Sequence, residues 1–127
     1  MLCFSAQEWQ MLDDGGLETH DLPPSEVKEA IAIRAAYPRL SANDCFCLAA
    51  AKAQDDGILL SGDGLLRRAA KESSTRVHGV LWIIDELKSH SLCSDELLVS
   101  ALEAWRADSA VFLPPNEIQI RIEKFAQ

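Results

Sequence analysis

Between Leu40 and Gly79 the chain reads LSANDCFCLAAAKAQDDGILLSGDGLLRRAAKESSTRVHG, and the succession of patterns there restricts the fold more than any other stretch. Ser41 is placed to cap a helix, with Asp44 at the third helical position. Cys45 to Ala51 leaves almost no polar face before Lys52, so this helix is expected to be buried on most sides. Asp55-Asp56-Gly57 ends it. Ile58-Leu59-Leu60 is too short for a buried helix and reads as an inner strand of a parallel sheet. Ser61-Gly62-Asp63-Gly64 then makes a turn, Leu65–Glu72 a helix with Arg67, Arg68 and Lys71 on its basic face, and Arg76–Val80 a second strand. Helix, strand, turn, helix and strand in this order make an α/β unit, with crossovers that put helices on both sheet faces. In open α/β sheets chemistry gathers beyond the carboxyl ends of the strands, which is where Asp63 falls.

The flanking segments extend this reading. Ser5 and Glu8 have capping-box spacing for a helix from Ala6 to about Leu12, ended by Asp13-Asp14-Gly15-Gly16. Leu17–Leu22 alternates loosely and suits a charged edge strand. Ser25 is placed to cap a helix from Glu26 to about Ala36 whose apolar side holds Val27, Ala30, Ile31 and Ile33. Leu81–Lys88 carries Trp82, Ile83, Ile84 and Leu87. Ser94 caps a helix with Asp95 and Glu96 in its first turn and a stripe of Leu97, Leu98, Ala101, Leu102 and Trp105. Pro114-Pro115 starts the last helix, from about Asn116 to Phe125. The length of 127 residues suits one compact domain. Residues 1–127 are therefore expected to form a single domain, with 94–127 as a helical hairpin on the same core.

Twenty acidic residues against 12 basic leave a formal charge of −8, which argues against a non-specific nucleic-acid coat. It leaves room for an enzyme that meets nucleic acid through a metal, since carboxylates awaiting a divalent ion count as negative. Of the four cysteines, Cys45 and Cys47 lie two apart on a helix, so their side chains diverge and make a poor local metal clamp. All four, with Cys3 and Cys93, read as reduced thiols in the core. There is no long apolar run and no basic start followed by an apolar stretch, so a cytoplasmic protein away from membranes is expected. Nucleotide binding of the common glycine-rich types is unsupported, because neither GxGxxG nor GxxxxGK[ST] occurs.

Asp44, Asp63 and Glu8 are the acidic candidates for chemistry, and each has a plain structural role beside it. Gly-Asp-Gly is an ordinary turn sequence, and Asp44 and Glu8 each sit where a carboxylate can bond its own helix end. Asp85, within LWIIDEL, reads as a solvated helical residue. Arg67 and Arg68 are candidates for phosphate contact or for a merely wet helix face.

Taken together, LSANDCFCLAAAK, ILLSGDGLLRRAA and VHGVLWIIDEL resemble the PIN-domain family, above all its compact prokaryotic members. The resemblance is good over Pro38–Leu87 and looser elsewhere, and it rests on the order of the three segments. It implies a three-layer α/β/α sandwich around a short, mostly parallel sheet. It further implies a Mg²⁺- or Mn²⁺-dependent ribonuclease, of the kind common among toxins of toxin–antitoxin pairs. Asp44 and Asp63 match the family's acidic positions after Leu-Ser and after the Ser-x-Asp strand end, so both become metal-ligand and catalytic candidates. Ser61 takes the hydroxyl position, and Arg67 and Arg68 become candidates for backbone contact. Glu8 is the candidate for the family's early Glu, ahead of Glu26 and Glu29.

The departure lies at the start. Family members usually open with an apolar strand ending in Asp, whereas this sequence has no Asp before Asp13. The expected fold is therefore abbreviated at its N-terminus, through an upstream start, a partner that completes the sheet, or a lineage that kept the scaffold and lost activity. RNA, an antitoxin-like protein and a second copy of the chain are the partners this implies. The competing expectation is a catalytically degenerate PIN-like protein that serves as an interaction scaffold.

Overall fold

The computed structural model describes residues 4–127, so the apolar start at Met1–Cys3, Cys3 included, lies outside the described residues. Contacts within the chain divide it into two compact units, Met1–Ala53 and Gln54–Gln127. No helix among the described residues is long and apolar enough to cross a membrane.

The first unit is helical: α1 (Ala6–Asp14), α2 (Pro24–Ala36) and α3 (Ala42–Lys52). At the start of α1, Ser5 Oγ accepts from the Glu8 backbone N–H at 3.2 Å and donates to Glu8 Oε1 at 3.1 Å, an N-cap in which the Glu8 carboxylate returns to the Ser5 hydroxyl. Its end needs glycine. Gly16 has φ of 101°, and the Leu17 and Gly16 N–H groups close back onto the Leu12 and Asp13 carbonyls. Leu17–Leu22 is not a strand; the stretch alternates too loosely to define a buried face.

Helix α2 packs against α3. Its buried side is Glu26, Ala30 and Ile33, while Val27 and Ile31 are exposed. Residues four and seven apart share a helix face, so a face that takes in Ala30 and Ile33 also takes in Glu26 and turns Ile31 outward. Ser25 does not cap α2; Pro23 precedes it without a side-chain cap. In α3 the same periodicity buries Cys45, Leu48 and Ala49 and leaves Phe46 and Cys47 exposed. The expectation of burial on most sides is corrected to burial of one stripe.

The second unit begins with the βαβ element. Strand β1 (Ile58–Leu60) pairs in parallel with β2 (Arg76–His78), with Ile58 opposite Arg76, Leu59 opposite Val77 and Leu60 opposite His78. The crossover helix α4 (Gly64–Glu72) packs on β2 and buries Leu66, Ala69 and Ala70, leaving Arg68 and Lys71 wet. Among the described residues the sheet has two strands, so β1 is not an inner strand, and Leu60 is half exposed. Leu59 and Val77, paired at the centre of the register, are both buried and cover one face, while Leu60 and Arg76 on the other face are exposed. The structure is thus helix-rich and mixed α/β, with a short parallel sheet.

Helices α5 (Val80–Ser89), α6 (Asp95–Ala107) and α7 (Pro115–Phe125) follow. Ile84, Leu98, Leu102, Ile118, Ile122 and Phe125 form one core, so the α6–α7 hairpin and α5 share their burial. Ser94 Oγ accepts the Leu97 N–H at 3.2 Å and fixes the start of α6. The ends of α4 and α5 use Ser74 and Ser91 in the left-handed region, at φ 57° and 53°. The N–H groups of Thr75 and Leu92 return to the carbonyls of Ala70 and Leu87.

Candidate functional site

Asp63 follows β1 and caps α4. Its backbone N–H bonds Ser61 Oγ at 3.1 Å and its Oδ1 accepts the Leu65 N–H at 3.2 Å. The Ser-Gly-Asp-Gly turn is therefore held from both sides, with Ser61 orienting Asp63 and Asp63 starting the helix. The carboxylate is exposed beyond the carboxyl end of a parallel strand, and its Oδ2 has no partner among the described residues.

Asp44 lies in the first turn of α3 and is half-buried. Ser41 Oγ accepts its backbone N–H at 3.0 Å. The reciprocal bond seen between Glu8 and Ser5 is missing here: among the described residues the Asp44 carboxylate has no hydrogen-bond or ion-pair partner. The capping explanation accounts for the carboxylate of Glu8 but not for that of Asp44. Glu8 is exposed and committed to its helix end.

Asp44 has a neighbour of some diagnostic use. Burial pushes the Cys45 thiol above its ordinary value, with Arg34 pulling it down and Asp44 adding to the rise. Thiolate is the reactive form, so Cys45 is expected to resist alkylation in the folded chain while exposed Cys47 reacts freely. Peptide mapping after a brief iodoacetamide pulse at neutral pH checks this. Equal labelling of both thiols would mean that α3 does not bury the Cys45 face.

Two features escaped the sequence reading. Glu26 is the single buried charged residue among those described, and His20 Nε2 meets its Oε1 at 2.7 Å. The signal was its helical register with Ala30 and Ile33. Asp85 is not merely solvated: both carboxylate oxygens take Arg121, Nε and Nη2, at 2.8 Å, a bidentate pair. Arg121 also bonds Glu117, and these hydrogen bonds raise its already high pKa. No local pattern announces that pair, because its members stand 36 residues apart.

Within the second unit a cleft of about 670 Å³ opens where both strands end. Leu60 and Ser61 line it after β1, His78 and Gly79 after β2, with Arg67, Trp82, Asp85 and Arg121 around them. Of the sequence candidates, Ser61 and Arg67 reach this cleft; Arg68 instead pairs with Glu72 at 3.1 Å on the outside of α4. The carboxylate oxygens of Asp44 and Asp63 suit a hard cation such as Mg²⁺ or Mn²⁺ in kind. In number they fall short. Within neither unit, among the described residues, do three His, Cys, Asp or Glu side chains gather closely enough to hold an ion.

A family model described as DUF3368, a PIN domain, matches residues 10–127. The chain belongs to the PIN-domain family. No curated protein and no solved structure matched it. The matched span takes in Asp44, Asp63, Ser61 and the cleft residues, and begins after Glu8. As a PIN domain the chain has a nuclease-type fold, from a family whose members generally depend on a divalent metal.

Proposed function

We propose that this PIN domain is a divalent-metal-dependent ribonuclease hydrolysing RNA phosphodiester bonds, with Asp44 and Asp63 as its metal-holding carboxylates. The observation that carries the reading is the family match over both acids, joined to the position of Asp63 beyond the end of β1. The unengaged carboxylate of Asp44 supports it. Glu8 contributes less, since it lies outside the matched residues and serves its own helix cap. The same match runs across both compact units, which supports residues 1–127 acting as one α/β/α domain. A bound Mg²⁺ or Mn²⁺ would polarise the phosphate and lower the pKa of its water. The chain's own part is to orient Asp63 through Ser61 and to keep the Asp44 carboxylate free.

A second reading is favoured by the absence of a three-ligand group within either unit among the described residues. In it the chain is a catalytically silent PIN scaffold that binds a protein partner, such as an antitoxin-like chain or a second copy.

Titration calorimetry with Mn²⁺ separates the two, on the parent chain, Asp63→Asn and Asp44→Asn, with RNA cleavage assayed in parallel. Asn caps a helix as well as Asp does, so Asp63→Asn removes charge and leaves the start of α4 intact. The expected result is measurable binding that weakens by about tenfold or more in each variant. Unchanged affinity in both variants would refute the ligand assignment. No binding to a chain with normal circular dichroism would favour the scaffold.

A further inference from the structure

The cleft at the strand ends holds a combination that the acidic residues do not explain. Arg67 is half-buried there, and among the described residues its guanidinium makes no hydrogen bond or ion pair. This is unusual in a chain with 20 acidic residues. The other cleft arginine, Arg121, is fully engaged by Asp85 and Glu117. Arg67 is seated by Gly79: a Cβ on that residue would stand 3.1 Å from Arg67 Nη1. Any side chain at residue 79 would therefore press on the guanidinium.

Beside it, His78 and Trp82 stack with ring centroids 4.2 Å apart and planes within 10°. Both line the cleft and both are half-buried, so the pair adds an aromatic surface to it. A volume of about 670 Å³ lies within the range of small-ligand sites, roughly 300–1,000 Å³. An unspent cation beside an aromatic platform matches a ligand that is anionic at one end and flat and aromatic at the other. A guanidinium takes phosphate oxygens in a fork, and aromatic side chains take bases by stacking.

We propose that this cleft binds one nucleotide, its phosphate on Arg67 and its base against the His78–Trp82 pair. The nucleotide comes either free or as one unit of a single strand. A duplex is not taken, because its bases are already stacked on each other. The source of the nucleotide rests on the reading of the chain as acting on RNA; the cleft's chemistry does not.

The test is calorimetry in EDTA, so that failure of the metal site and failure of this site are distinguishable. The titrants are AMP, a short single-stranded oligoadenylate and inorganic phosphate, against the parent chain, Arg67→Gln and Trp82→Leu. Either AMP or the oligonucleotide is expected to bind, with Arg67→Gln weaker by about tenfold or more. Trp82→Leu is expected to weaken binding similarly, and Trp82→Phe, which keeps a stacking ring, to restore most of it. Binding of AMP identifies a free-nucleotide site, and binding of the oligonucleotide alone identifies a strand-borne one. Phosphate binding as tightly as AMP overturns the role of the base platform. No binding of either nucleotide to the folded parent chain, or full affinity in Arg67→Gln, overturns the site.

Discussion

Leu102→Ala is expected to lower the free energy of unfolding by about 2–5 kcal/mol, the range for emptying a closed leucine site. Leu102 is fully buried on α6, in a core made with Leu98, Ile84, Ile118, Ile122 and Phe125. Those neighbours come from three helices, so none can fill the void without dragging its own helix. Alanine is the best helix former, so α6 itself is not weakened and the loss reports packing alone. For a chain of this length that corresponds to a fall in melting temperature on the order of 10 °C. Thermal denaturation followed by circular dichroism measures it. A fall of only a degree or two would mean that the α5–α6–α7 core is loose enough to collapse around the gap.

Leu48→Ala should cost about as much, roughly 2–5 kcal/mol, and it asks a different question. Leu48 is likewise fully buried, on the Cys45–Leu48–Ala49 stripe of α3. It belongs to the first compact unit, whereas Leu102 belongs to the second. If residues 1–127 fold as the single domain proposed, each substitution lowers one shared transition. Protection of α3 and α6 amides against hydrogen exchange then falls together in both variants. Loss of protection confined to α3 in Leu48→Ala, and to α6 in Leu102→Ala, would show two units that unfold separately.

The elements whose ends are written in local chemistry were legible in the sequence. Ser5 with Glu8, Ser41 with Asp44 and Ser94 start their helices as spacing requires, because an N-cap needs only a hydroxyl and an amide three residues on. Ile58–Leu60 is a parallel strand, since an apolar run that short has few other uses. The helix ends at Glu72 and beside Lys88 were legible to within a residue, although Ser74 and Ser91 enter the left-handed region with no glycine to announce it. The apolar positions Val27, Ile31 and Phe46 misled. Hydrophobicity marks what can be buried, and the rotation of the helix against its neighbour chooses which side is.

The sequence by itself determined the order of elements from α3 onward, membership of the PIN-domain family and the position of Asp63 at a strand end. These depend on neighbours a few residues apart, or on a pattern carried along the whole chain. Tertiary structure alone decided that Arg67 lies in a cleft at the strand ends, its guanidinium unpaired among the described residues, whereas Arg68–Glu72 is a local pair four residues apart on α4. It also decided that Asp85 is gripped by Arg121 and that Glu26 is buried against His20. Whether a charge is neutralised depends on what folding brings within about 4 Å of it, and sequence separation says little about that distance.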